Sequence, residues 1–159
     1  MLFYKWIGGF LLLFCSVCVG LSQIGAERAR LARAKGYLAL LRHIRRQIEC
    51  YSLPVGDILA RAEPRLLAAC GWQGGRPPDF SALLSATAEG LGGEARGELS
   101  AFAERLGGGY RADQLRLCEE HIARLSALCE RDTGESAKRE RLWLFLPPAL
   151  CGILLLALL

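Results

Sequence analysis

Residues 27–50 read ERARLARAKGYLALLRHIRRQIEC. Leu31, Ala34, Leu38, Leu41, Ile44 and Ile48 recur at steps of three and four, so a helix gathers them into one apolar stripe. Arg30, Arg33, Arg42 and Arg46 largely stay off that stripe. The pattern predicts one long helix that must lay its stripe against something apolar. A second pattern answers it further on. Leu115, Cys118, Ile122, Leu125, Cys129 and Asp132 also step by three and four, a heptad-like seam spoiled only at its end. Two long helices with opposed stripes pack as an antiparallel pair. The expected fold is therefore all-α, an antiparallel helical bundle.

The ends of the chain suggest its setting. Residues 6–26 form a 21-residue run without a formal charge, and residues 142–159 an 18-residue run of the same kind. At about 1.5 Å per helical residue each reaches across a hydrocarbon core of roughly 30 Å. The segment between them, 27–141, holds 19 of the 20 Lys and Arg and all 16 Asp and Glu. The expected organisation is thus an N-terminal transmembrane helix (6–26), a helical domain (27–141) and a C-terminal transmembrane helix (142–159). About 115 residues suffice for one small domain with a single core. Arg28, Arg30, Arg33 and Lys35 follow the first run, and Lys138, Arg139 and Arg141 precede the second. Basic residues stay on the cytoplasmic side, so the domain is expected in the cytoplasm with both termini across the membrane. These seven residues are the candidate contacts to lipid head groups. The cluster adjoins a span and is not interleaved with aromatics, so nucleic acid is not the expected partner. No A-x-A cleavage site follows the first run, which is therefore expected to stay as an anchor.

Between the two long patterns the punctuation predicts short helices. Ser52 is placed to cap a second helix with Pro54 in its first turn, and Pro64 to kink or split it. Residues 71–79, with three Gly and two Pro, read as a loop. Residues 80–89 and 94–106 read as two short helices, with Leu83 and Leu84 and then Leu99, Phe102 and Leu106 turned inward. Gly107-Gly108-Gly109 ends the second. Gly134 weakens the last long helix by about 1 kcal/mol without stopping it, so that helix is expected to run on into the final apolar run.

The residues offer little chemistry. His43 and His121 are the only histidines. Cys118 and His121 share a helical face but lack the further ligands a metal site requires. No G-x-S-x-G, H-E-x-x-H or P-loop occurs. The seven cysteines, Cys15, Cys18, Cys50, Cys70, Cys118, Cys129 and Cys151, are odd in number, and four of them show no close pairing. Most of them read as small buried hydrophobes, which fits a reducing compartment. No catalytic residue, metal or cofactor is expected. Arg45, Arg46, Glu49 and Tyr51, at the end of the first helix farthest from the membrane, are the candidate contacts to a partner protein.

Residues 35–59, KGYLALLRHIRRQIECYSLPVGDIL, resemble a passage of the stage III sporulation protein AB family of endospore-forming bacteria. Glu49, Tyr51, Pro54, Ile58 and Leu59 match its character, as do Leu106-Gly107 followed by Asp113-Gln114, and an apolar tail preceded by basic residues. The loop 71–79 and Pro147-Pro148 depart from the family's pattern. The resemblance implies a non-enzymatic membrane scaffold or platform subunit of the channel complex between mother cell and forespore, required for endospore formation. It further implies a place on the mother-cell side of the forespore outer membrane, and a domain similar to one in the inner-membrane platform protein of type II secretion. The implied partners are membrane lipids, other stage III sporulation membrane proteins and a cytoplasmic ATPase, stage III sporulation protein AA. Self-association into a homo-oligomer is left open. A small membrane-anchored regulator or sensor is the alternative reading, and a membrane enzyme a further one. Recovery of an ATPase and other membrane subunits in a pull-down would favour the scaffold.

Overall fold

The computed structural model describes the backbone of residues 2–51 and 55–158, and side-chain surroundings for residues 14, 15, 17–51, 56–139, 142 and 149. Helix dominates: α1 (Leu2–Tyr51), α2 (Val55–Ala60), α3 (Pro64–Ala69), α4 (Phe80–Thr87) with a 3-10 turn at Ala88–Gly90, α5 (Gly93–Arg105) and α6 (Arg111–Leu158). Among the described residues there is no strand, and the all-α expectation holds. Two compact units divide the chain, one of residues 29–132 and one of residues 1–28 with 133–159. The first falls within the expected module 27–141, and α6 runs through Gly134 without a break.

In the unit 29–132 the stripe of α1 is the base of the core. Ala34, Leu38, Leu41, Ile44 and Ile48 are buried as expected, and Tyr37 and Leu40 are fully buried beside them. The apolar face of α1 is wider than one stripe because several helices contribute to the core built on it. Ile58 and Leu59 of α2, Leu67 of α3, Leu83 and Leu84 of α4, Leu99 and Phe102 of α5, and Leu117 and Leu125 of α6 join it in one cluster. Edge-to-face rings link four helices through it. Tyr37 and Phe80 lie 6.0 Å apart, Phe80 and Phe102 5.3 Å, and Phe102 and His121 5.4 Å. The Tyr37 hydroxyl reaches Thr87 Oγ1 at 2.5 Å, so the one polar atom of that ring is satisfied inside the core.

Local chemistry sets the element ends. Pro64 splits the expected second helix by opening α3 in its first turn behind Glu63, where its missing N–H costs nothing. Asp79 Oδ1 accepts from Ala82 N at 2.6 Å and caps α4. Gly107 and Gly109 both adopt φ of +88°, a left-handed conformation that favours glycine. Buried Gln114 closes this turn: its Oε1 accepts from Gly107 N at 3.1 Å, and its Nε2 donates to the carbonyls of Arg105 and Gly108. The resembling element Leu106-Gly107…Asp113-Gln114 thus has a folding role. The register of α6 needs a correction. Gln114, Leu117, Cys118, His121, Leu125 and Cys129 are buried, whereas Leu115 and Ile122 are only partly covered and Asp132 is exposed. Leu106 too is only partly covered.

Two glycines mark close crossings. A Cβ on Gly36, in mid-α1, would meet Ala69 O at 2.4 Å, so the end of α3 lies directly on the α1 backbone there. At Gly90 a Cβ would meet Arg33 Nη1 at 1.2 Å, so the Arg33 guanidinium fills the place of a side chain.

In the other unit, Arg139 pairs with Glu27 at 3.4 Å and with Glu135 at 3.1 Å. No helix of the described residues is long and apolar enough to cross a membrane. Most side chains of the two apolar runs, and Arg141, lie outside the described residues.

Candidate partner-docking face

The contacts between α1 and α6 set these helices antiparallel in the unit 29–132. Arg111, the first residue of α6, donates from Nε to Ile48 O at 3.1 Å and from Nη2 to Glu49 O. Eight residues further along α6, Glu119 meets Arg45 at 2.9 Å. Arg111 thereby satisfies last-turn carbonyls of α1 and sets a positive charge at the negative end of its dipole.

Three of the four candidate partner contacts come together. Arg45, Arg46 and Glu49 line an open trough of about 690 Å³, with Ala39, Arg42 and His43 beside them on α1. From α6 come Glu119, Ile122, Ala123 and Ser126, and from α3 Leu66. Small side chains on α1 and α6 leave the hollow, and long ones around it form the walls. Glu119 neutralises Arg45 at 2.9 Å, with Glu49 farther off at 4.0 Å. These charges are 40–59 % exposed, so the pairs add little stability. Arg42 and Arg46, one turn apart, have no ion-pair partner among the described residues. Burial, then the Arg46 charge, pushes the His43 imidazole below its usual pKa of 6.5, with Glu63 opposing. Tyr51 is not among the lining residues. It stands 68 % exposed at the end of α1, and Tyr110, 84 % exposed, directly precedes the Arg111 anchor.

The candidate head-group contacts are placed differently from one another. Arg28, Arg30, Lys35 and Lys138 are exposed. Arg33 is packed against Gly90 and Gly71, and Arg139 is engaged by Glu27 and Glu135. Arg141 lies outside the described residues.

His121 and Cys118 do not combine with a third ligand. Among the described residues no group of three His, Cys, Asp or Glu is set to hold a metal. His121 is 2 % exposed, with Nδ1 2.7 Å from Glu98 Oε1 but not aligned as a hydrogen bond. Arg124 approaches the same carboxylate at 3.7 Å. Cys70 and Cys118 are fully buried, and burial pushes their thiols up to about 12 and about 11. They are packing residues, poorly suited to nucleophilic work at neutral pH.

Compared with protein-family models, curated proteins and solved structures, the chain matches none.

Proposed function

We propose that the chain is a non-enzymatic membrane scaffold, a platform subunit of the mother cell–forespore channel complex, with a cytoplasmic helical domain between two transmembrane helices. The observation that carries the membrane part is the first half of α1. Phe14, Val17, Val19 and Leu21 are 40–64 % exposed there, and Cys15 and Cys18 are exposed with them. At 3.6 residues per turn these positions point to several sides of the helix, while among the described residues nearby Gly20 and Ile24 alone are buried. A helix apolar all round suits lipid, where each large side chain gains roughly 1.5–3 kcal/mol by leaving water. The sporulation part rests on the resemblance over residues 35–59. The absence of nucleotide and catalytic motifs in the sequence supports a scaffold driven by a partner ATPase.

Reporter fusions at both ends test the topology. Both are expected to report from outside the cytoplasm, and a cytoplasmic signal from either end overturns the hairpin. Disruption of the gene is expected to block sporulation after engulfment and leave vegetative growth intact. Normal spore yield overturns the assignment to the channel complex.

A further inference from the structure

We infer that the trough beside Arg42 and Arg46 seats an acidic amphipathic helix of a partner protein. The inference uses the platform reading only to give that partner a place, and the chemistry comes from the trough. Its apolar lining is Ala39, Leu66, Ile122 and Ala123, and the guanidinium groups of Arg42 and Arg46, one helical turn apart, have no ion-pair partner among the described residues. A free phosphate or a lipid head group would use the charges and leave the apolar surface unused. A purely apolar segment would leave the arginines unused. A helix with leucine-type anchors at i, i+3 and i+7, and with carboxylates four residues apart on the adjoining flank, uses both. Its carboxylates repeat at the spacing of Arg42 and Arg46, so each guanidinium can take one in its two-pronged geometry. The lining of α1 extends from Ala39 to Glu49, about 15 Å at 1.5 Å per residue, which accommodates roughly three turns of such a helix. Because Glu119 and Glu49 lie around Arg45, the positive charge is concentrated toward Arg42, with exposed Lys35 two turns beyond.

The test uses the full chain in nanodiscs of zwitterionic phosphatidylcholine. The probe is a labelled fourteen-residue stapled helix (about three to four turns) with Leu anchors and a Glu flank. A second probe carries Lys for Glu. Anisotropy against empty nanodiscs reads the binding. The Glu probe is expected to bind at least about tenfold more tightly than the Lys probe, and to weaken as added salt screens the charges. The double variant R42E/R46E, at exposed positions, should lose about tenfold for the Glu probe and gain for the Lys probe. Ala123→Phe fills the hollow and should weaken the Glu probe while unchanged circular dichroism reports an intact fold. Equal binding of both probes, no binding, or indifference to R42E/R46E overturns the inference. So does loss, in R42E/R46E, of adsorption to phosphatidylglycerol vesicles with probe binding intact, which assigns the face to lipid. Loss of self-association in that variant with probe binding intact assigns it to a second copy. None of these outcomes alters the reporter-fusion result, so the trough and the membrane reading fail separately.

Discussion

Replacing Gly36 by alanine should destabilise the unit 29–132, although alanine is the better helix former. In a free helix the exchange would gain about 1 kcal/mol. Here the new Cβ would stand 2.4 Å from Ala69 O, 2.5 Å from Ala69 C and 3.0 Å from Cys70 N. Ordinary contact begins near 3.4 Å, so the end of α3 must retreat by about 1 Å. Both sides of the clash are backbone, and no rotamer change relieves it. The retreat also draws Leu67 and Cys70 away from α1. Overpacking costs about 1–3 kcal/mol, and a backbone-to-backbone case belongs at the upper end. Subtracting the propensity gain leaves about 2 kcal/mol, a fall in Tm of roughly 10 °C for a unit near 100 residues. Thermal unfolding of the full chain in mild detergent, followed by circular dichroism, measures it. Two controls sharpen the result. Gly97→Ala, in α5 with nothing within 4 Å, should gain up to about 1 kcal/mol. Gly90→Ala meets Arg33 Nη1 at a nominal 1.2 Å, yet should cost less than Gly36→Ala because a long side chain can swing away. If Gly36→Ala melts at or above the wild type, α3 does not cross α1 at this point.

Gln114→Ala should cost about 1–3 kcal/mol in denaturant titrations, because it strips the Gly107 N–H and the carbonyls of Arg105 and Gly108 of their partner. A loss below a few tenths would mean that water replaces the amide. His43 predicts a pH effect: its folded pKa lies below 6.5, so as pH falls through 6.5 the unfolded chain takes up the proton first. Stability contributed by the neutral imidazole is present above pH 6.5 and lost below it, and His43→Gln should flatten that part of the Tm–pH curve. Iodoacetamide on the native chain at pH 8 should modify exposed Cys50 and spare Cys70 and Cys118 until denaturant is added. Rapid native labelling of Cys70 would contradict its place in the core.

The long helices were legible because α1 and α6 each carry a periodic apolar pattern, and the breaks were legible because Pro64 and Gly107–Gly109 act through backbone geometry alone. The register of α6 was not. Periodicity favours Leu115 and Ile122 over Gln114 and His121, since nothing local shows that an amide and an imidazole will be covered. Gln114 is acceptable inside only because the α5–α6 turn presents a donor and two carbonyls to it. His121 enters at the end of a row of rings that exists only once four helices meet. Arg33 reads as one more basic residue near a membrane, and its packing against Gly90 depends on a turn 57 positions away. For the trough, the charges Arg45, Arg46 and Glu49 were legible. The hollow was not, because Ala39 and Ala123 look like ordinary helix formers until the helices are set side by side.

The Arg111 anchor has a consequence for how such a chain can vary. By gripping the carbonyls of Ile48 and Glu49, it brings residues 63 positions apart in sequence to one spot. Everything between Tyr51 and Arg111 is therefore an excursion that leaves and returns at a single doorway. Closing a flexible loop costs only about 0.6 kcal/mol more for each doubling of its length. An insertion in its exposed turns therefore costs little, so long as its apolar residues stay in the core beside Tyr37, Leu40 and Ile44 and the α5–α6 turn keeps its bonds to Gln114.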